Sequence, residues 1–159
     1  MSSLAPVRAA RGFTLVEVMV VLVIIGIVLG MVTLNAIPSP RQNLQGEAQR
    51  LALLLQLARD EAIVRNRLVT FEANSERYRF LVRNENHWDP VTQDDLLRER
   101  DFKVSPLSLL LDPPGAGSAD PLRITFGREP VDKPFVLTMA IGEDRVAIRA
   151  DGIGHFTVE

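Results

Sequence analysis

The chain has 159 residues, no cysteine, a formal net charge of −2 and 47% hydrophobic residues. That length suits one domain of ordinary size and is too short for two good cores plus a membrane segment. The lack of cysteine excludes disulfides, thiolate metal sites and cysteine nucleophiles, and the mildly acidic balance gives no electrostatic support for binding phosphates.

Apolar residues crowd the N-terminal quarter. Between Phe13 and Ile37 the only ionisable side chain is Glu17, and 20 consecutive uncharged residues run from Val18 to Ile37. A helix needs roughly 20 such residues to cross a hydrocarbon core. An ordinary secretory signal has an apolar region of about 7–15 residues followed by a small-residue cleavage site, and no A-x-A pattern follows here. Arg8 and Arg11 precede the span with no acid among them, which predicts a cytoplasmic N-terminus and a translocated remainder. A carboxylate inside such a span costs on the order of 3 kcal/mol at its centre and less near its end, so Glu17 needs a cation. A free amine at Phe13 would supply one, four residues away in the same chain or from a neighbouring copy. Gly26 and Gly30 form a small-x-x-x-small pair, compatible with close helix packing or with simple flexibility.

Ile37-Pro38-Ser39-Pro40 predicts a break or kink, because Pro38 disfavours helical geometry at Ile37. Ser39 can cap a new helix, Pro40 suits its first position, and Gln42 sits where a capping box requires it. The helix is predicted from about Pro40 to Arg65. Leu44, Ala48, Leu51, Leu55, Ala58 and Ala62 form one apolar face, widened by Leu54 and Ile63. Glu47, Arg50, Arg59, Asp60 and Glu61 are placed on the opposite side, and Asn66 is a left-handed stop. This helix is expected to lie on its own domain's sheet.

Beyond Asn66 the pattern turns to alternation. Arg77 to Arg83 reads as a half-buried strand preceded by a strand from Leu68 to Ala73, with Asn74-Ser75-Glu76 as the turn. Further strands are predicted at 100–104, 107–111, 122–126, 135–141, 145–150 and 155–158. Gly142-Glu143-Asp144 and Asp151-Gly152 supply turns, and Asp112 to Ser118 is a loop. Several short strands with such turns predict a β-sandwich or paired small sheets.

No catalytic motif is present: no Gly-x-Ser-x-Gly, no phosphate loop, no His-x-x-x-His. His87 falls in an expected turn with Trp88 as an aromatic anchor, and His155 in the last strand. Asp89, Asp94 and Asp95 lack the alternating ligand loop and glycine of a calcium site and are read as a solvated charged segment. Arg77, Arg79 and Arg83 form a basic row, but acids surround it in sequence. Neither a metal nor a cofactor nor a nucleic-acid partner is expected.

The junction Arg11-Gly12-Phe13-Thr14-Leu15-Val16-Glu17 resembles the prepilin peptidase site of the type IV pilin superfamily, with Gly12, Phe13 and Glu17 matching. The resemblance implies cleavage between Gly12 and Phe13, N-methylation of Phe13, and pairing of Glu17 with the amine of a neighbouring subunit during assembly. Ala58-Arg59-x-Glu61-Ala62-x-x-Arg65-Asn66-Arg67, Trp88-x-Pro90, Ile124-Thr125-Phe126, Pro134-Phe135 and Asp151-Gly152-x-Gly154 are similar to the H-type minor pseudopilins of type II secretion. Phe126-Gly127-Arg128-Glu129-Pro130 departs from their usual spacing of proline and glycine after the Ile-x-Phe strand. What this resemblance implies is an α+β, pilin-like fold: a long N-terminal helix, membrane span plus amphipathic half, packed on a C-terminal β-sandwich-like domain. The expected organisation is a leader at 1–12, a transmembrane helix at 13–37, an amphipathic helix at 38–66 and a periplasmic β-domain at 67–159. The implied role is a non-enzymatic minor pseudopilin, single-pass in the inner membrane of a Gram-negative bacterium. Its implied partners are prepilin peptidase, as its processing enzyme, other major and minor pseudopilins, and inner-membrane lipid. The alternative is a minor pilin of a type IV pilus.

Overall fold

The computed structural model describes residues 13–34, 39–114 and 120–159, with side chains up to Gly30 in the first stretch. The leader with Gly12, the expected kink at 35–38 and most of the 112–118 loop lie outside the described residues. The chain divides into two units, residues 1–38 and 39–159.

The first unit holds α1 (Leu15–Leu34), whose only charged residue is Glu17. Thr14 starts it: its Oγ1 accepts the Glu17 N–H at 3.3 Å and its carbonyl accepts the Val18 N–H at 3.3 Å. At about 1.5 Å per residue the helix is about 30 Å long. It is apolar all round, and every residue from Phe13 to Gly30 is exposed. Within the fully described residues, which stop at Gly30 here, no helix is long and apolar enough to cross a membrane; the helical backbone continues to Leu34.

The second unit opens with α2 (Pro40–Val64). Ser39 Oγ accepts the Gln42 N–H and Gln42 Oε1 accepts the Ser39 N–H, both at 3.2 Å, so the expected capping box forms. At the other end Asn66 is left-handed, with φ 52°. Its N–H donates to the Ile63 carbonyl and that of Arg67 to the Ala62 carbonyl, a Schellman stop.

Nine strands follow among the described residues. β1 (Val69–Ala73), β2 (Arg77–Asn84), β3 (His87–Pro90), β4 (Arg100–Asp101) and β6 (Leu122–Phe126) form a first antiparallel sheet. Its order is β3-β2-β1-β6, with β4 also paired to β2. β5 (Ser108–Asp112), β7 (Phe135–Ile141), β8 (Asp144–Ala150) and β9 (Phe156–Val158) form a second, in the order β5-β7-β8-β9. Both sheets pack on α2. The core joins Leu44, Leu51, Leu55 and Ala58 of the helix to Phe71, Tyr78, Phe80, Phe126, Leu137, Met139 and Ile148 of the sheets. Each such leucine contributes about 1.5–3 kcal/mol by burial.

Three expectations need correction. Glu47 and Arg59, assigned to the solvent side of α2, are 2% and 8% exposed. The apolar stripe is one sheet wide, but two sheets flank the helix, so the buried sector extends past it. His87–Pro90 is a strand, not a turn. Glu85-Asn86 closes a two-residue hairpin with Glu85 at φ 48°, a conformation usually left to Asn or Gly. The strand expected at 100–104 shrinks to two residues.

Candidate functional site

Of the three residues singled out at the N-terminus, Phe13 and Glu17 are described and both are exposed. Thr14 takes the Glu17 backbone N–H, and no ion pair involves the Glu17 carboxylate among the described residues. The same-chain pairing of Phe13 with Glu17 requires the amine that cleavage would create; in the uncut chain the Phe13 nitrogen is an amide. The helix therefore presents one carboxylate, one turn past Phe13, on an otherwise apolar cylinder.

The downstream motif residues, distant in sequence, meet around Arg59. Its Nη2 donates to the Pro130 carbonyl, and its Nη1 lies 3.5 Å from Asp60 Oδ1. Gly154, at φ 120°, faces it: a Cβ there would stand 2.7 Å from Arg59 Nη1. Gly152, at φ 81°, packs where a Cβ would collide with the Asp132 carbonyl, and the Asp132 N–H donates to the Gly152 carbonyl at 2.7 Å. Asp151 closes the turn by accepting the N–H groups of Ile153, Gly154 and His155 and pairing with His155 Nδ1 at 2.6 Å. Desolvation raises the Asp151 pKa, but the hydrogen bonds from the His155 ring and from the Ile153 and His155 N–H groups together outweigh it and hold the carboxyl well below the usual range. The Arg59 and Asp-Gly-x-Gly segments thus form one latch joining α2, the 127–134 loop and the last turn.

The basic row is also built in. Arg79, Glu72 and Arg123 stand directly across from one another on β2, β1 and β6. Burial pushes the Glu72 carboxyl up, and hydrogen bonds from Arg79 and Arg123 more than reverse this, leaving it below its ordinary value. Arg77 pairs with Glu99 and Asp101, and Arg83 lies 5.3 Å over the Trp88 ring. Sequence reading saw the arginines and missed Glu72, whose place opposite two of them is set by strand register. A second buried acid, Glu47, has neither carboxylate oxygen hydrogen-bonded among the described residues and lies 3.8 Å from Arg50.

Two of the acids considered for calcium have local partners, Asp89 a side chain and Asp94 the backbone. Asp89 accepts from Asn84 Nδ2 at 2.5 Å, and Asp94 caps the N–H groups of Leu96 and Leu97. Among the described residues no group of three or more potential ligands could hold a metal.

An exposed apolar helix entered through Phe13-Thr14, followed by a capped helix against two antiparallel sheets, defines a pilin-like protein. Residues 7–33 match the prokaryotic N-terminal methylation motif. Residues 47–154 match the family described as Type II transport protein GspH, and the chain belongs to that family. A curated relative, "Type II secretion system protein H" of Pseudomonas aeruginosa, is 40% identical over 90 residues, covering 55% of this chain. The match spans 52% of that relative, so the chain covers about half its length. The fold is similar to the solution structure of E. coli GspH, with TM-score 0.58 and 21% identity over 76% of this chain and 91% of that one. It is also similar to the minor pseudopilin EpsH of Vibrio cholerae, with TM-score 0.56 and 18% identity over 74% and 96%. The type IV minor pilin FimU of P. aeruginosa shares it as well, with TM-score 0.52 and 18% identity over 75% and 90%.

Proposed function

We propose that the chain is a minor pseudopilin: a non-catalytic subunit of the periplasmic pseudopilus of type II secretion, anchored in a Gram-negative inner membrane by residues 13–37. The observation that carries this reading is α1. It is apolar all round, exposed up to Gly30, joined to a methylation motif, and charged only at Glu17. Such a surface is stable in lipid or among like helices, not in water. In this reading prepilin peptidase removes residues 1–12, the new Phe13 amine is methylated, and residues 39–159 lie in the periplasm. Glu17 pairs with the cationic amine of a neighbouring subunit, because an anion buried among apolar helices needs a fixed cation. The partners are other pseudopilins and membrane lipid. FimU shares the fold, so the fold alone does not separate a pseudopilin from a type IV minor pilin; the family match and the secretion-protein relative favour the former.

Mass spectrometry of the mature N-terminus should find N-methyl-phenylalanine at Phe13. Gly12→Val should leave the leader attached, since the peptidase must accommodate an extended backbone at that position. Glu17→Gln should be cleaved normally yet fail to enter the pseudopilus. An assembled protein beginning at Met1, or full incorporation of the Gln variant, would overturn this mechanism.

A further inference from the structure

The first sheet turns one face to α2 and the other outward. On the outward face Glu72 is 4% exposed, and it is held between two guanidinium groups. Arg79 Nε donates to its Oε1 at 2.7 Å, joined by Arg79 Nη2. Arg123 Nε donates to its Oε2 at 2.7 Å, with Arg123 Nη2 at 2.6 Å. Among the described residues the Nη1 of each arginine makes no such contact, and the two side chains are 46% and 51% exposed. The buried carboxylate therefore fixes two guanidinium planes and leaves donors on each facing outward.

One register step along, Leu81, Thr70 and Thr125 lie across the strands, with the two threonine hydroxyls 2.9 Å apart. They line a 170 Å³ cavity with Trp88 and Arg123. Arg83 stands opposite Trp88 and covers its ring. Around Glu72 and this cavity stand three arginines, Arg79, Arg83 and Arg123, to one glutamate, in a chain whose net charge is −2; Arg77, further along the same face of β2, is already paired with Glu99 and Asp101.

We propose that this outer face of the first sheet is a docking surface for an acidic segment of another protein. Its side-chain carboxylates would take the free donors of Arg79 and Arg123, and an apolar residue beside them would cover Leu81 and Trp88. The chemistry fits protein better than phosphate polymers. Two of the three arginines already share a carboxylate, and Glu99, Asp101 and Asp120 lie on the neighbouring rim. Nucleic-acid affinity needs many uncompensated cations, and recognition of anionic lipid calls for a polybasic cluster. The pocket also has an apolar wall, which a phosphate backbone would not use.

Trp88 is the chain's only tryptophan, so its emission reports occupancy. The full chain in detergent micelles is titrated with a blocked oligoglutamate peptide, with oligothymidine and phosphatidylglycerol vesicles as rivals. Saturable, salt-sensitive quenching or shift by oligoglutamate is expected. The triple variant Glu72→Gln, Arg79→Gln, Arg123→Gln should bind at least about tenfold more weakly, with helical and strand signal intact by circular dichroism. Arg83→Gln touches no buried charge and should weaken binding by a smaller factor, which keeps the test decisive if the triple variant does not fold. Absence of any oligoglutamate response, unchanged binding in Arg83→Gln together with any folded triple variant, or equal or tighter binding of oligothymidine or vesicles would overturn the proposal.

Discussion

The two helices differ in where their stability comes from. α1 has 20 residues, one charged side chain and no buried residue from Phe13 to Gly30. α2 has 25 residues, a cap at each end and ten buried positions. α2 is completed by its own chain, because both sheets of the second unit close over it. α1 has apolar surface on every side, so its environment must be supplied from outside. α2 is rich in strong helix formers and α1 in β-branched Val and Ile, but it is the distribution of apolar residues around the axis that separates their surroundings.

The comparison is broken most directly by paired truncations. Leu55 is fully buried, and Leu55→Ala should cost about 2–5 kcal/mol of unfolding free energy, read by denaturant titration. Leu22 is 62% exposed, and Leu22→Ala should leave that transition within about 0.5 kcal/mol while changing detergent or membrane partitioning. If Leu22→Ala destabilised the second unit as much as Leu55→Ala, the division between an internally and an externally stabilised helix would fail.

The latch sharpens the same point, since it holds α2 to residues near the end of the chain. Gly152→Ala places a Cβ on backbone at a positive φ and should cost about 1–3 kcal/mol. Its thermal midpoint should fall, with methylation at Phe13 unaffected. Glu72 gives a pH signature confined to the second unit. Its folded pKa lies below the reference 4.5, so its stabilising contribution is complete above that value and is lost as pH falls through the folded pKa. Acid titration of Glu72→Gln should show a shallower stability loss below about pH 4.5 than the parent. A modest loss is expected at the helix start, where Ser39→Ala removes one half of the capping box and should cost about 1 kcal/mol.

What could be read from sequence followed from local chemistry. Ser39, Pro40, Gln42 and Asn66 mark the ends of α2, and β6 and β7 begin and end where their apolar runs do. The features missed depend on distant neighbours. Glu47 and Arg59 carry charge on a helix that reads as single-faced; residues distant in sequence, Tyr78 near Glu47 and Pro130 and Gly154 at Arg59, make their surroundings an interior. β3 ends in Pro90 and follows a turn without glycine, both signals against a strand interior. Glu72 is paired through β1–β2 and β1–β6 register at once, which no sequence spacing announces. At the N-terminus the situation is reversed. The junction at Gly12, Phe13 and Glu17 is a local motif recognisable as it stands, whereas its role depends on molecules beyond this chain.

The capping box at Ser39 has a mechanical consequence. A subunit anchored by its first unit and tugged by its second would feel tension along the polypeptide between them. Because Ser39 and Gln42 close the first turn on each other, force applied there meets a reciprocal clasp before it reaches the first ladder bond, from the Asn43 N–H to the Ser39 carbonyl. The buried face of α2 lies behind that clasp. Peeling must open the clasp and then pull Leu44 out of the core, so the folded unit resists fraying at the point where load enters.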